Sequence, residues 1–98
     1  MNKDEIKVYS IIIHYDPRDV VPYEVKIPDL DGIIEGYSIE DAIMMAKDYI
    51  GTYSLVRSLP PANYILPKVS NSHDIVTLAE VNVSEYQRKY DNNALEKL

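Results

Sequence analysis

The sequence predicts an α+β fold: a small two-layer domain in the order β-β-β-α-β-α, with a mostly antiparallel sheet and its helices on one face. Three observations predict it. Tyr23, Val25 and Ile27 alternate with Glu24 and Lys26, the period-two pattern of a strand with one buried face. Ile39, Ala42, Ile43, Ala46, Tyr49, Ile50 and Tyr53 recur at helical spacing, with Glu40, Asp41, Lys47 and Asp48 mostly off that stripe. The chain has 98 residues, 46% of them hydrophobic, which suits one globular domain and not two.

Taken in order, residues 1–5 are charged and read as a loose lead-in. Residues 6–15 are the most β-prone run, largely apolar on both faces, as expected of a central strand covered on both sides or paired across a dimer. Asp16-Pro17-Arg18-Asp19 has the chemistry of a type I turn, so the first two strands form a hairpin. Pro28 ends the second strand because it has no N–H to give. The turn that follows runs to Gly32, which is expected to take a positive φ there. Ile33 and Ile34 make a brief third strand, closed by Gly36.

Ser38 then reads as the helix N-cap, its hydroxyl accepting from the amide of Glu40 or Asp41, and Asp41 acts as a short-armed capping-box partner. Gly51 carries a helix penalty of about 1 kcal/mol, so fraying is expected from there onward. Residues 55–68 hold Pro60, Pro61 and Pro67 and predict an extended connector, with Leu59, Tyr64, Ile65 and Leu66 packing it on the body. After a polar loop over 70–74, residues 75–83 form the last strand, and Ser84 caps a helix running towards Tyr90. Residues 1–92 are thus expected to form a single domain and 93–98 a mobile tail.

The succession of strand, Pro28-Asp29-Leu30-Asp31-Gly32 turn, short strand, Glu35-Gly36, cap and Glu40-Asp41-Ala42…Ala46-Lys47 helix resembles the HicB-like family. These are the antitoxins of HicA/HicB toxin–antitoxin pairs. A second patch, Ala79 to Asn92 with Glu85-Tyr86-Gln87-Arg88-Lys89-Tyr90-Asp91-Asn92, is similar to that family's last core strand and following segment. The resemblance implies a reduced RNase H-like core, a homodimer or higher oligomer, and a small basic RNA-cleaving (HicA-like) toxin as partner. Such antitoxins usually continue into a DNA-binding segment. No C-terminal DNA-binding domain follows residue 92 in this sequence, so autorepression by this chain alone is not expected.

Ten basic residues against sixteen acidic ones give a net charge of −6. That balance repels phosphate backbones and steers basic partners inward. It therefore suits a toxin carrying RNA-binding lysines and arginines, although acidity also serves plain solubility. With no cysteine, disulfide and thiolate chemistry are excluded, consistent with the cytoplasm. The N-terminus has neither a leader's apolar stretch nor a membrane span.

Catalytic motifs are absent. His14 sits in a strand with Ile12 and Ser10 on its face and reads as a hydrogen-bonded packing residue. Ser72-His73-Asp74 holds triad residue types, but adjacency in sequence is not triad geometry. Asp29, Asp31 and Glu35 fail the spacing of a calcium loop, and turn and cap roles account for them, so neither metal nor cofactor is expected. Three glycines are too sparse for a phosphate loop. Arg57, Lys68, Arg88 and Lys89 make no basic aromatic-interleaved patch, which argues against direct nucleic-acid binding. Tyr49, Tyr53, Tyr86 and Tyr90 recur at helical spacing and read as core and dimer packing.

The expectation is a non-enzymatic binding protein whose contacts are steric and electrostatic. The candidate partner-binding residues are Asp16, Asp19, Glu24, Asp29, Asp31 and Glu35, and Pro28, Gly32, Gly36 and Ser38 build the central motif. The alternative is a stand-alone RNA- or nucleic-acid-associated regulator without a toxin partner.

Overall fold

Tyr9, Ile11 and Ile13 alternate along a strand whose middle is buried, and the rest of the molecule forms around them. In a computed structural model, residues 3–68, 71 and 73–96 are described, with side chains as far as Tyr90. The elements are β1 (Ile6–Tyr15), β2 (Tyr23–Ile27), a 3-10 turn (Pro28–Leu30), β3 (Gly32–Gly36), α1 (Ile39–Val56), β4 (Ile75–Asn82) and α2 (Val83–Glu96). The four strands form one antiparallel sheet in the order β3-β2-β1-β4. β1 lies inside the sheet, between β2 and β4, as expected of a central strand.

One face of the sheet carries the core. Tyr9, Ile11, Ile13, Val25, Ile27, Ala79 and Val81 meet Ala42, Ala46 and Ile50 of α1. Small alanines on α1 let the helix axis approach the sheet closely. Ile39 belongs to the expected stripe but is 40% exposed, as the first residue of the helix. α2 packs on α1 through Tyr86 and reaches β1.

Several local expectations change in physical detail. Gly32 does not take a positive φ; Asp31 does, with φ 50°, and closes the 3-10 turn through its amide to the Pro28 carbonyl. Gly32 matters for another reason: a Cβ there would lie 2.7 Å from the Tyr49 ring, which would have to shift to admit a larger residue. Gly36 is needed likewise, since its Cβ would meet the Ala42 amide at 2.6 Å. Pro28 sits at the start of the 3-10 turn, where its missing N–H costs nothing.

Ser38 caps α1 by accepting from the Asp41 amide at 3.0 Å, while Asp41 accepts from the Tyr37 amide at 2.8 Å. Instead of fraying, α1 continues through Gly51 to Val56. α2 is capped by Asn82 and not by Ser84: the Asn82 side chain accepts from the Glu85 amide at 2.9 Å. The Ser84 hydroxyl accepts instead from the amide of Glu5. Asp4 binds Arg88 through two bonds of 2.9 and 3.1 Å and also accepts from Asn82. Asp4 and Glu5 are therefore fastened to α2 and are not a loose lead-in. α2 runs beyond Tyr90 to Glu96, into the segment expected to be a tail; residues 97–98 lie outside the described residues.

The connector between α1 and β4 is held by backbone geometry. β2 ends at Ile27, before Pro28, so the half of β1 before Ile12 has no strand on that side. The Asn63 amide fills the place by donating to the Val8 carbonyl at 2.9 Å, and the Tyr9 hydroxyl donates to the Pro60 carbonyl. Leu59 packs on the core, but Tyr64, Ile65 and Leu66 are exposed at 66%, 77% and 52%. The expectation that these three pin the connector down is not met.

Candidate functional site

Strand alternation sends Ser10, Ile12 and His14 of β1 to the face opposite the helices. The strand register adds Glu24 and Lys26 of β2, Ile33 and Glu35 of β3, and Val76, Leu78 and Glu80 of β4. At the hairpin end of this face lies a cleft of about 620 Å³. β1 supplies Ile12 and His14, and the hairpin loop supplies Asp16, Asp19 and Pro22. β2 gives Glu24 and Lys26, while the segment leading into β4 brings Lys68, Asn71 and Asp74.

The loop is shaped by its own side chains. The Asp16 carboxylate accepts from the Arg18 amide at 3.0 Å, and the Asp19 amide closes on the Asp16 carbonyl at 3.2 Å. The Arg18 guanidinium forks onto Asp16 with two bonds of 2.9 Å. That side-chain pairing, helped by the backbone bond, holds the Asp16 carboxyl down at about 2. Across the cleft, His14 Nδ1 and Asp74 Oδ1 are 2.6 Å apart, and this bond to Asp74 raises the His14 pKa above its ordinary value.

Among the described residues, four carboxylates, from Asp16, Asp19, Glu24 and Asp74, line the cleft beside two ammonium groups, from Lys26 and Lys68. Asp16 is paired with Arg18, Asp74 with His14, and Glu24 lies 4.0 Å from Lys26. Glu24 also stands directly opposite Glu35 across the β2–β3 ladder. Like charges in that relation destabilise a sheet by a few tenths of a kcal/mol, and a cation laid over them would relieve the strain. Asp19 and Glu24, bonded to neither an arginine nor a histidine among the described residues, are the lining carboxylates most open to a positively charged group. Among the described residues, no group of three or more His, Cys, Asp or Glu is placed to hold a metal ion.

Of the six acidic candidates, Asp16, Asp19 and Glu24 line this cleft, with Glu35 beside Glu24. Asp29 and Asp31 do not join them. They lie at the other end of β2, on a separate cavity of about 520 Å³ that includes Tyr49, Tyr53 and Arg57. Asp29 accepts there from the Asn63 side chain at 3.2 Å. His14 and Asp74 as a pair were not legible beforehand: they are 60 residues apart, with no local pattern linking them. In the Ser72-His73-Asp74 run, Ser72 lies outside the described residues, and Asp74 bonds His14 and not its neighbour His73.

The described residues contain no helix long and apolar enough to cross a membrane. No protein-family model matches the sequence, and no curated protein matches it. A chain in a solved structure, a toxin–antitoxin complex from Streptococcus pneumoniae, is similar at a TM-score of 0.63 with 18% identity. The match covers 84% of this chain and 73% of that one, and at this identity it is a likeness of fold.

Proposed function

We propose that this chain is a non-enzymatic, cytoplasmic antitoxin-like protein of the HicB type. It neutralises a small, basic, RNA-cleaving toxin by covering the toxin's RNA-binding surface. The observation that carries the reading is the acidic cleft, where Asp16, Asp19, Glu24 and Asp74 converge beside Glu35. Basic side chains that a ribonuclease uses for phosphates would find carboxylates there, which occludes the toxin by charge as well as by bulk. The likeness of fold to a chain of a toxin–antitoxin complex and the net charge of −6 support the same reading.

The test is co-expression with the product of a neighbouring short, basic, histidine-containing reading frame. The expected result is a stable complex that arrests RNA cleavage at a stoichiometric amount of this chain. A protein that ignores that product and instead retains RNA, with retention fading steeply as salt rises, would overturn the proposal in favour of a nucleic-acid-associated regulator.

A further inference from the structure

The β4 edge of the sheet is long, unprotected and unpaired among the described residues. Because the Val8 carbonyl points towards Asn63, on the β2 side of β1, the odd-numbered residues of β1 turn their backbone groups towards β4. Their partners Ile75, Thr77, Ala79 and Val81 are thereby satisfied. The amides and carbonyls of Val76, Leu78 and Glu80 point outward, with no partner among the described residues. Natural edges are usually blunted by proline, lysine, a bulge or shortness. β4 is eight residues long, with continuous register, no proline, no lysine and a single charge, Glu80. The opposite edge, β3, is five residues long and has glycine at both ends.

We propose that β4 pairs antiparallel with β4 of a second copy of this chain across a two-fold axis at Leu78, joining two sheets into one of eight strands. The sequence of the edge is self-complementary in that register. Leu78, 38% exposed, meets its own copy, and Ile75, 39% exposed, faces the copy's Val81. Glu80 falls opposite Val76, so the one charge on each edge never faces its twin. A two-fold operation also makes the outward Val76, Leu78 and Glu80 backbone groups mutually complementary. This pairing is independent of the toxin reading and differs from it in salt dependence. Each copy carries −6, so added salt strengthens self-pairing and weakens attachment of a basic partner to the cleft.

The experiment uses the full chain, which has no native cysteine, carrying Leu78→Cys. Opposed residues of a hydrogen-bonded pair have Cα atoms about 5.5 Å apart, within disulfide reach. Mild oxidation is expected to give a covalent dimer at least tenfold faster than for Ile33→Cys on the other edge. Leu78→Pro removes an amide that the β1 ladder does not use, so the domain keeps its fold by circular dichroism while the sedimenting mass falls from dimer to monomer. Equal crosslinking of the two cysteine variants would overturn the proposal. So would a folded Leu78→Pro variant as dimeric as the parent, or a parent that sediments as a monomer at high micromolar concentration.

Discussion

Gly51 and Tyr86 are in direct contact: a Cβ built on Gly51 would lie 2.5 Å from the Tyr86 ring. This contact sets the distance between α1 and α2, and the Tyr86 hydroxyl fixes it further by donating to the Asp48 carboxylate. Burial, with the Asp48 bond second, pushes the Tyr86 hydroxyl up to about 12. Gly51→Ala therefore tests two opposed effects. Helix propensity alone favours alanine by about 1 kcal/mol, whereas an overpacked contact costs about 1–3 kcal/mol. The expected outcome by urea unfolding is a net loss on the order of 1 kcal/mol. In a Tyr86→Ala background the sign reverses, and the same substitution stabilises.

That pair also shows what the sequence made legible. Strand and helix periodicity depends on which residues face the core, so the element order and the cap at Ser38 could be read directly. Glycines were harder, because a glycine demanded by a positive φ looks identical in sequence to one demanded by a neighbouring ring. Gly32 and Gly51 belong to the second kind, set by Tyr49 and Tyr86 from elsewhere in the chain. The cleft was half legible for the same reason. Asp16, Asp19 and Glu24 come from one hairpin, while His14–Asp74 depends on β4 pairing with β1.

Asp31 carries the left-handed backbone that the sequence assigned to Gly32. Aspartate tolerates αL better than most residues, and a β-branched side chain does not. Asp31→Gly is expected to hold or slightly raise the midpoint of thermal unfolding. Asp31→Val is expected to lose about 1–2 kcal/mol. Equal stability of the two variants would show that the turn adopts another conformation.

Asp4 reports on the clasp between the N-terminus and α2. Its hydrogen bonds to Arg88 and then Asn82 depress its pKa from 3.8 to about 2. A depressed carboxylate contributes stability that is present above 3.8 and lost as pH falls through about 2. Asp4→Asn should therefore lower stability at neutral pH and narrow its gap from the parent between those values. Parallel stability curves down to the acid limit would show that the clasp is not formed in solution.

His14 behaves with the opposite sign. Its bond to Asp74 raises its pKa above 6.5, so the stability it contributes is fully present below 6.5 and fades as pH rises through the folded value. Titration of the imidazole by NMR is expected to give a midpoint above 6.5 that falls back towards it in Asp74→Asn. The parent's stability advantage over Asp74→Asn should be larger in mildly acidic buffer than at pH about 8. An unmoved midpoint would remove the pair from the description of the cleft.

Charge reversal separates the cleft from acidity in general. Asp19→Lys with Glu24→Lys changes the charge by +4 inside the cleft, and Asp29→Lys with Asp31→Lys changes it equally at the far end of β2. Asp16 is left alone because its pairing with Arg18 shapes the loop. If a basic partner docks at the cleft, the first pair should weaken binding by tenfold or more, roughly 1.4 kcal/mol, chiefly through faster dissociation. The second pair should act mainly on the association rate, by weakening long-range steering, and the effect should vanish in high salt. Equal losses in both variants would mean that only net charge matters. A larger loss at Asp29 and Asp31 would move the docking site to the Tyr49–Tyr53 cavity.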